Sequence, residues 1–206
     1  MMMRKAVFER NDMHWMYFLS LEQDLIALAR SIEFAEPNFN VFSIECTRLL
    51  LAACSEVDVV MKLLATPHSM KEPKKVANLG ECRELLAGRY SIISEASVSI
   101  PRHGLRLTPW ASWKDGKQPA WWGGYNEVKH RRAEHYAQAT LFNVLNAIAG
   151  LLVALMLYLR QIKSVDIIMP ATLLLRPYYL QGSYCISPDG HLIDLRPEHF
   201  RNEDEI

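Results

Sequence analysis

The stretch WWGGYNEVKHRRAEH, residues 121–135, gathers Asn126, Lys129, His130, Arg131, Arg132 and His135 into a few turns' worth of chain. A histidine that titrates near neutral pH serves as a general acid or base. The residue types therefore fit a catalytic constellation seated at the start of a helix, with a histidine as its general acid or base. The competing reading makes them the polar lip of a helix whose business is packing, with His130 an interior histidine bonded to a glutamate or a backbone carbonyl.

Which of these side chains converge depends on the element that carries them. LFNVLNAIAGLLVALMLYL, residues 141–159, contains no charge and is close to bilayer-spanning length. Asn143 and Asn146 interrupt its first half, and the helical pattern begins earlier, which favours the central helix of a bundle over a membrane span. The expectation is one long helix from about Asn126 to Arg160. At 100° per residue, Leu141, Leu145, Ile148, Leu152, Leu155 and Leu159 form its seam. Carried back, that phase places His130 and Glu134 on the seam with Asn126 and Glu127 close to it, and Arg131 and His135 on the flank. Lys129, Arg132 and Tyr125 then point away. Glu56, at the edge of an earlier apolar stripe, is a candidate for the facing wall, with His130 or Arg131 as its basic partner.

Three helices are expected ahead of this one. Residues 12–34 place Trp15, Phe18, Leu21, Leu25, Ala29 and Ile32 at three- and four-residue steps, with Asn11 or Asp12 as cap. After a break at AEPNFN, Ser43 is an N-cap candidate. Phe42, Cys46, Leu49, Ala53, Val57, Val60 and Leu64 line one stripe up to Thr66-Pro67, with Asp58 and Lys62 an exposed pair. A shorter helix over 75–88 ends at Gly88. Residues 89–120 read as an irregular or partly extended insertion in which a strand pair is possible, and Trp110, Trp113, Trp121 and Trp122 either anchor the loop onto the bundle, the commoner role of such aromatics, or stack on bases or a partner. Tyr178–Ile186 and His191–Leu195 read as a hairpin around Ser187-Pro188-Asp189-Gly190.

The chain has 206 residues, enough for one domain or one domain with an appended element. Lys plus Arg and Asp plus Glu balance at 23 each, so any basic site is local. The four cysteines show no CxxC and no zinc-like spacing. Cys46 and Cys54 lie about 12 Å apart along one helix, too far for a disulfide, and fit small buried residues of a reducing compartment. The N-terminus carries no apolar signal region, and the reading is a cytoplasmic protein without a membrane role. Motifs for dinucleotide, P-loop, serine-hydrolase or zinc-protease chemistry are missing, so neither a cofactor nor a metal is expected.

The helix pair carrying RLLLAACSEVDVVMKLL, followed by WWGGYNEVKHRR leading into a long apolar helix, resembles the HEPN superfamily (higher eukaryotes and prokaryotes nucleotide-binding) over roughly residues 12–160. The resemblance implies a mainly α fold: an up-and-down helical bundle over 12–160, here followed by a C-terminal extension, 161–206, with a small β-hairpin. It implies a homodimer acting on RNA or nucleotides, often as a metal-independent ribonuclease in toxin–antitoxin or anti-phage systems. The family signature is an arginine, commonly followed by Asn, Asp or His, with a histidine a few residues on. YNEVKH matches with Asn126 and His130, but Tyr125 stands in the arginine position. Lys129 and Arg131 are candidates for the missing charge, while Arg131 and His135 form a pair of the right types at shorter spacing. On the catalytic reading His130 is the acid/base, Asn126 orients it, and Lys129 or Arg131 holds phosphate, with Glu56, Tyr125, Glu134 and His135 in support. The alternative is a non-catalytic helical module for dimerisation or for binding a protein partner.

Overall fold

Ser43 begins the second helix as its residue type predicts: its hydroxyl accepts from the Cys46 N–H at 3.0 Å. In the computed structural model, which describes residues 10–66, 76–87, 89–161, 172–178, 184–186 and 192–194, this helix is α2 (Ile44–Ala65), preceded by α1 (Arg10–Leu28). Cys46, Leu49, Ala53, Val57, Val60 and Leu64 are fully buried along the expected stripe, and Lys62 Nζ lies 2.6 Å from Asp58. Phe42 departs from the stripe. It is exposed and pairs instead with Thr140 across an isolated β-bridge.

Helix α1 is shorter than 12–34, and Asn11 and Asp12 fall inside it rather than capping it. The apolar spacing is right as far as Leu28. Beyond that a tertiary contact wins: Phe34 is buried against the His103 ring at 4.9 Å, and Glu33 takes His103 Nδ1 at 3.0 Å. Helix α3 spans Leu79–Ala87, and Gly88, its expected stop, lies outside the described residues. Asn78 and Glu81 cap α3 reciprocally: Asn78 Oδ1 accepts from the Glu81 N–H, and Glu81 accepts from the Ala77 N–H and from Asn78 Nδ2.

The insertion holds the anticipated strand pair. Strands β1 (Ser97–Ile100) and β2 (Leu105–Leu107) run antiparallel, and β3 (Arg176–Tyr178) joins the other edge of β1, giving the order β2-β1-β3. The expected hairpin forms over a narrower span as β4 (Tyr184–Ile186) and β5 (Leu192–Asp194), with Cys185 opposite Ile193. Tyr178 belongs to β3, not to that hairpin. Its expected turn, 187–190, lies outside the described residues.

The long helix from Asn126 to Arg160 does not exist as one element. The chain forms α4 (Ala120–His130), leaves helical geometry at Arg131 (φ −136°, ψ 48°), makes the short α5 (Arg132–His135) and a 3-10 turn (Tyr136–Gln138), and only then enters α6 (Leu141–Gln161). The physical reason lies in the loop 39–42. Val41 O and Phe39 O accept from the first two N–H groups of α6, and the Thr140 hydroxyl accepts from the Asn143 N–H. These partners satisfy the orphan donors of a helix start, so α6 begins at Leu141.

Helices α2 and α6 form the centre of the core, with α1 packed on both and α4 against α6. Residues 141–159 have mean hydropathy 2.1 and would suffice in length to cross a bilayer, yet 94% of the stretch is buried in the fold, as for a core helix. Its two amides each donate a hydrogen bond: Asn143 Nδ2 to Gln138 O at 2.8 Å and Asn146 Nδ2 to Phe142 O at 3.0 Å. The tryptophans anchor the insertion. Trp113, Trp110, Trp121, Trp122 and Tyr125 make a continuous series of ring contacts at 4.6, 5.1, 5.9 and 5.0 Å, all buried. Trp110 Nε1 donates to Gly150 O on α6, and Trp121 Nε1 to Pro109 O.

Two adjacent glycines on α4 should respond oppositely to alanine. A Cβ at Gly124 would stand 2.5 Å from Asn143 Nδ2 and 3.3 Å from Gln138 O, whereas one at Gly123 meets nothing within 4 Å. Gly124→Ala must displace the amide from its buried hydrogen bond and is expected to destabilise by about 1–2 kcal/mol. Gly123→Ala is expected to stabilise by up to about 1 kcal/mol through helix propensity. Urea unfolding of the two variants measures both signs.

Burial also fixes the thiol chemistry. Cys46, Cys54 and Cys82 are free and buried. Loss of solvent pushes the Cys54 thiol well up and the Cys82 thiol to about 11. In the folded protein at pH 8 all three should resist iodoacetamide, and should label once guanidinium unfolds the chain, as peptide mass mapping would show. Since the folded state keeps protons that the unfolded chain releases from pH 9 upward, stability falls as pH rises from about 9 to about 11.

Candidate functional site

On α4 the inward positions are Trp121, Trp122, Gly124, Tyr125 and Val128. Phase counted back from α6 fails here because the break at Arg131 resets it. Tyr125, expected to point outward, is buried beside Trp122, with Lys129 Nζ 5.3 Å from its ring centre. His130 and Glu134, expected on the seam, are both exposed, as are Lys129, Arg131 and Arg132. Asn126 and Glu127 are half-buried at the boundary. Four consecutive side chains able to carry positive charge, Lys129 to Arg132, thus fan out over the surface at the helix break. Among the described residues, neither His130 nor Arg132 is engaged in a hydrogen bond or ion pair.

The break also builds a small charged centre. Glu127, one turn before it, takes the Arg131 guanidinium through Nη2, and the same Oε2 oxygen lies 3.1 Å from His135 Nε2. Glu134 stands further off, 3.8 Å from that nitrogen. A carboxylate holding a guanidinium and an imidazole side by side orients both, the arrangement in which one can bind a phosphate oxygen and the other move a proton. Arg131 and His135 are therefore brought together by a residue, Glu127, that sequence reading had placed only near the seam. Asn126 and His130 lie one turn apart on α4, with no hydrogen bond between their side chains.

Glu56 is not at this site. It bonds His14 Nδ1 of α1 at 2.5 Å, so its basic partner is His14 rather than His130 or Arg131. The two side chains are mostly covered, and the His14 ring stands edge-on to Tyr158 at 6.0 Å. The anticipated partner type was right, but α1, not α4, faces this part of α2.

The structure holds a second feature. A cleft of about 470 Å³ lies between the 36–40 turn, the start of α4 and the start of α6. Gln138 on its wall lies three residues past His135 in sequence. Sequence reading missed it because its walls come from three separated segments. Among the described residues, no group of three or more His, Cys, Asp or Glu side chains is placed to hold a metal ion.

The fold and surface together define a class: a mainly helical protein with a small antiparallel sheet and an exposed basic cluster at a helix break. No family model matches the chain, and no curated protein or solved structure matches it.

Proposed function

We propose that this chain is a HEPN-like RNA-binding protein whose phosphate-contacting surface is the run Lys129–Arg132 at the α4–α5 break, working as a homodimer. The observation that carries the reading is local charge. In a chain of zero formal net charge, four consecutive basic residues are exposed together where two helices part. Contacts of this kind bind the backbone without reading its sequence. Fluorescence anisotropy with single-stranded RNA tests the reading. The double variant Lys129→Ala/Arg132→Ala should weaken binding at low salt by about tenfold or more. Unchanged affinity, or no affinity in the parent protein, would reject it.

A metal-independent ribonuclease is the second reading, favoured by Glu127 holding Arg131 and His135 together. On that reading His135 takes the 2′-hydroxyl proton as the 2′-oxygen attacks phosphorus, the 5′-oxygen leaves and is protonated by water, and Arg131 steadies the phosphate, while Tyr125, in the buried ring series, plays no part in charge. In EDTA-treated reactions His135→Ala should remove cleavage by a factor of roughly 10²–10⁴, the usual contribution of a general acid/base. Loss on His130→Ala with His135→Ala still active would assign the proton to the other histidine. Absence of cleavage by a folded, RNA-binding protein would leave the binding function alone.

A further inference from the structure

We infer that the cleft between the 36–40 turn, α4 and α6 is a subsite for a purine or pyrimidine base. Its apolar component is a pair of phenyl rings, Phe39 and Phe142, with centroids 5.5 Å apart and planes tilted by 56°. Phe142 is exposed at the start of α6, 38% of it reaching solvent, and presents an aromatic face rather than completing the core. Around the rings stand Asn40, Gln138 and Thr140. The side-chain amides of Asn40 and Gln138 have no hydrogen-bond partner among the described residues. Asn143 spends Nδ2 on Gln138 O and keeps Oδ1 unbonded among the described residues.

That set of walls is selective in chemistry. Carboxamides offer a donor and an acceptor side by side, which matches the paired donor and acceptor on the edge of a base. Aromatic rings stack on the flat face of any base. No lysine or arginine lines the cleft, and its charged residue is Glu36, so a phosphate has no place inside it. The volume lies within the range of small-molecule sites. A flat, neutral, amide-edged ring meets every feature, whereas a sugar phosphate or an aliphatic chain meets only part of them. The inference rests on the RNA reading above for the source of the base, a nucleotide of the strand that the Lys129–Arg132 surface holds.

The test separates the two proposals. Adenosine, guanosine, cytidine and uridine are titrated by isothermal calorimetry, with ribose and inorganic phosphate as controls, against the parent protein and Phe142→Ala, Asn40→Ala and Gln138→Ala. At least one nucleoside should bind while ribose and phosphate do not, and Phe142→Ala should weaken it about tenfold through lost stacking. Asn40→Ala or Gln138→Ala should change the preference among the four bases. Lys129→Ala/Arg132→Ala should leave nucleoside affinity as it was. All the substituted side chains except Phe39's neighbour Phe142 are polar and surface-lying, so the amide variants carry the test if Phe142→Ala fails to fold. The inference is overturned if no nucleoside binds the folded parent, or if the folded variants bind as the parent does. RNA binding that persists in that case and depends on Lys129 and Arg132 leaves the proposed function standing. Nucleoside binding alongside RNA affinity indifferent to those two residues would remove the proposed function and keep the cleft.

Discussion

Replacing Glu22 by alanine should lower the unfolding free energy by about 3–5 kcal/mol, the largest effect expected of any polar residue in this chain. Glu22 sits on α1 with no exposure at all. A buried carboxylate is tolerable only if its oxygens are satisfied. Here three consecutive backbone N–H groups do so: Leu173 donates to Oε2 at 2.9 Å, and Leu174 and Leu175 donate to Oε1 at 2.9 and 3.0 Å. Successive N–H groups converging on one anion make a nest. The pairing ties the segment leading into β3 to the first helix, 151 to 153 residues away in sequence. Alanine would leave buried N–H groups without acceptors, and each unsatisfied donor is penalised by roughly 1–3 kcal/mol before relaxation. Glu22→Gln should fall between, because the amide keeps one acceptor and turns a donor toward N–H groups. Chemical denaturation gives the magnitudes. Amide hydrogen exchange should show residues 172–178 losing protection first in Glu22→Ala. A change below about 1 kcal/mol with unaltered exchange would show that the nest does not hold this segment.

Trp110→Ala should destabilise by about 3–5 kcal/mol, the range for emptying a large aromatic site in a core. Trp110 is fully buried, contacts both Trp113 and Trp121, and donates to Gly150 O. Close packing makes the site hard to collapse: a Cβ on Gly150 would already lie 3.0 Å from Trp121 Cζ2 and 3.5 Å from Trp110 Cε2. Since the ring series continues through Trp121 and Trp122 to Tyr125, its loss frees α4 from α6. The basic surface then loses its support as well as its foundation. Trp110→Phe, which keeps most of the volume and drops the N–H, should retain more than half of the lost stability. Thermal melts followed by far-ultraviolet circular dichroism compare the two. Equal loss in both variants would shift the role from packing to the single hydrogen bond.

Much of this fold was legible because its strongest signals are local. The α2 stripe, the Ser43 cap and the burial of residues 141–159 all follow from spacing and residue type within one element. What was not legible depended on contacts across the chain. The break between α4 and α6 is imposed by Phe39, Val41 and Phe42 gripping the start of α6, and no residue near Arg131 announces it by type. Neither proline nor glycine occurs between Asn126 and Ala149, so propensity favoured a continuous helix. That one discontinuity moved His130 and Glu134 from the seam to the surface and Tyr125 from the surface to the core. Glu22 and His14 went unnoticed for the same reason: their partners lie on other segments. A carboxylate among Phe18, Leu21 and Leu25 was nevertheless a visible signal, since a buried charge always requires a partner. Of the site's composition the basic run 129–132 and His135 were readable, whereas Glu127 as their link and the cleft residues required the fold.

The central claim, that the α4–α5 break is an RNA phosphate-binding surface, is tested most directly by the salt dependence of binding. For single strands, log K falls with log salt at about −0.7 per phosphate contacted. Removing Lys129 and Arg132 together should make the slope shallower by about 1.4, if each contacts one phosphate, while a substitution at an exposed lysine far from the break, such as Lys114→Ala, leaves it unchanged. A slope identical in the parent and the double variant would contradict the account.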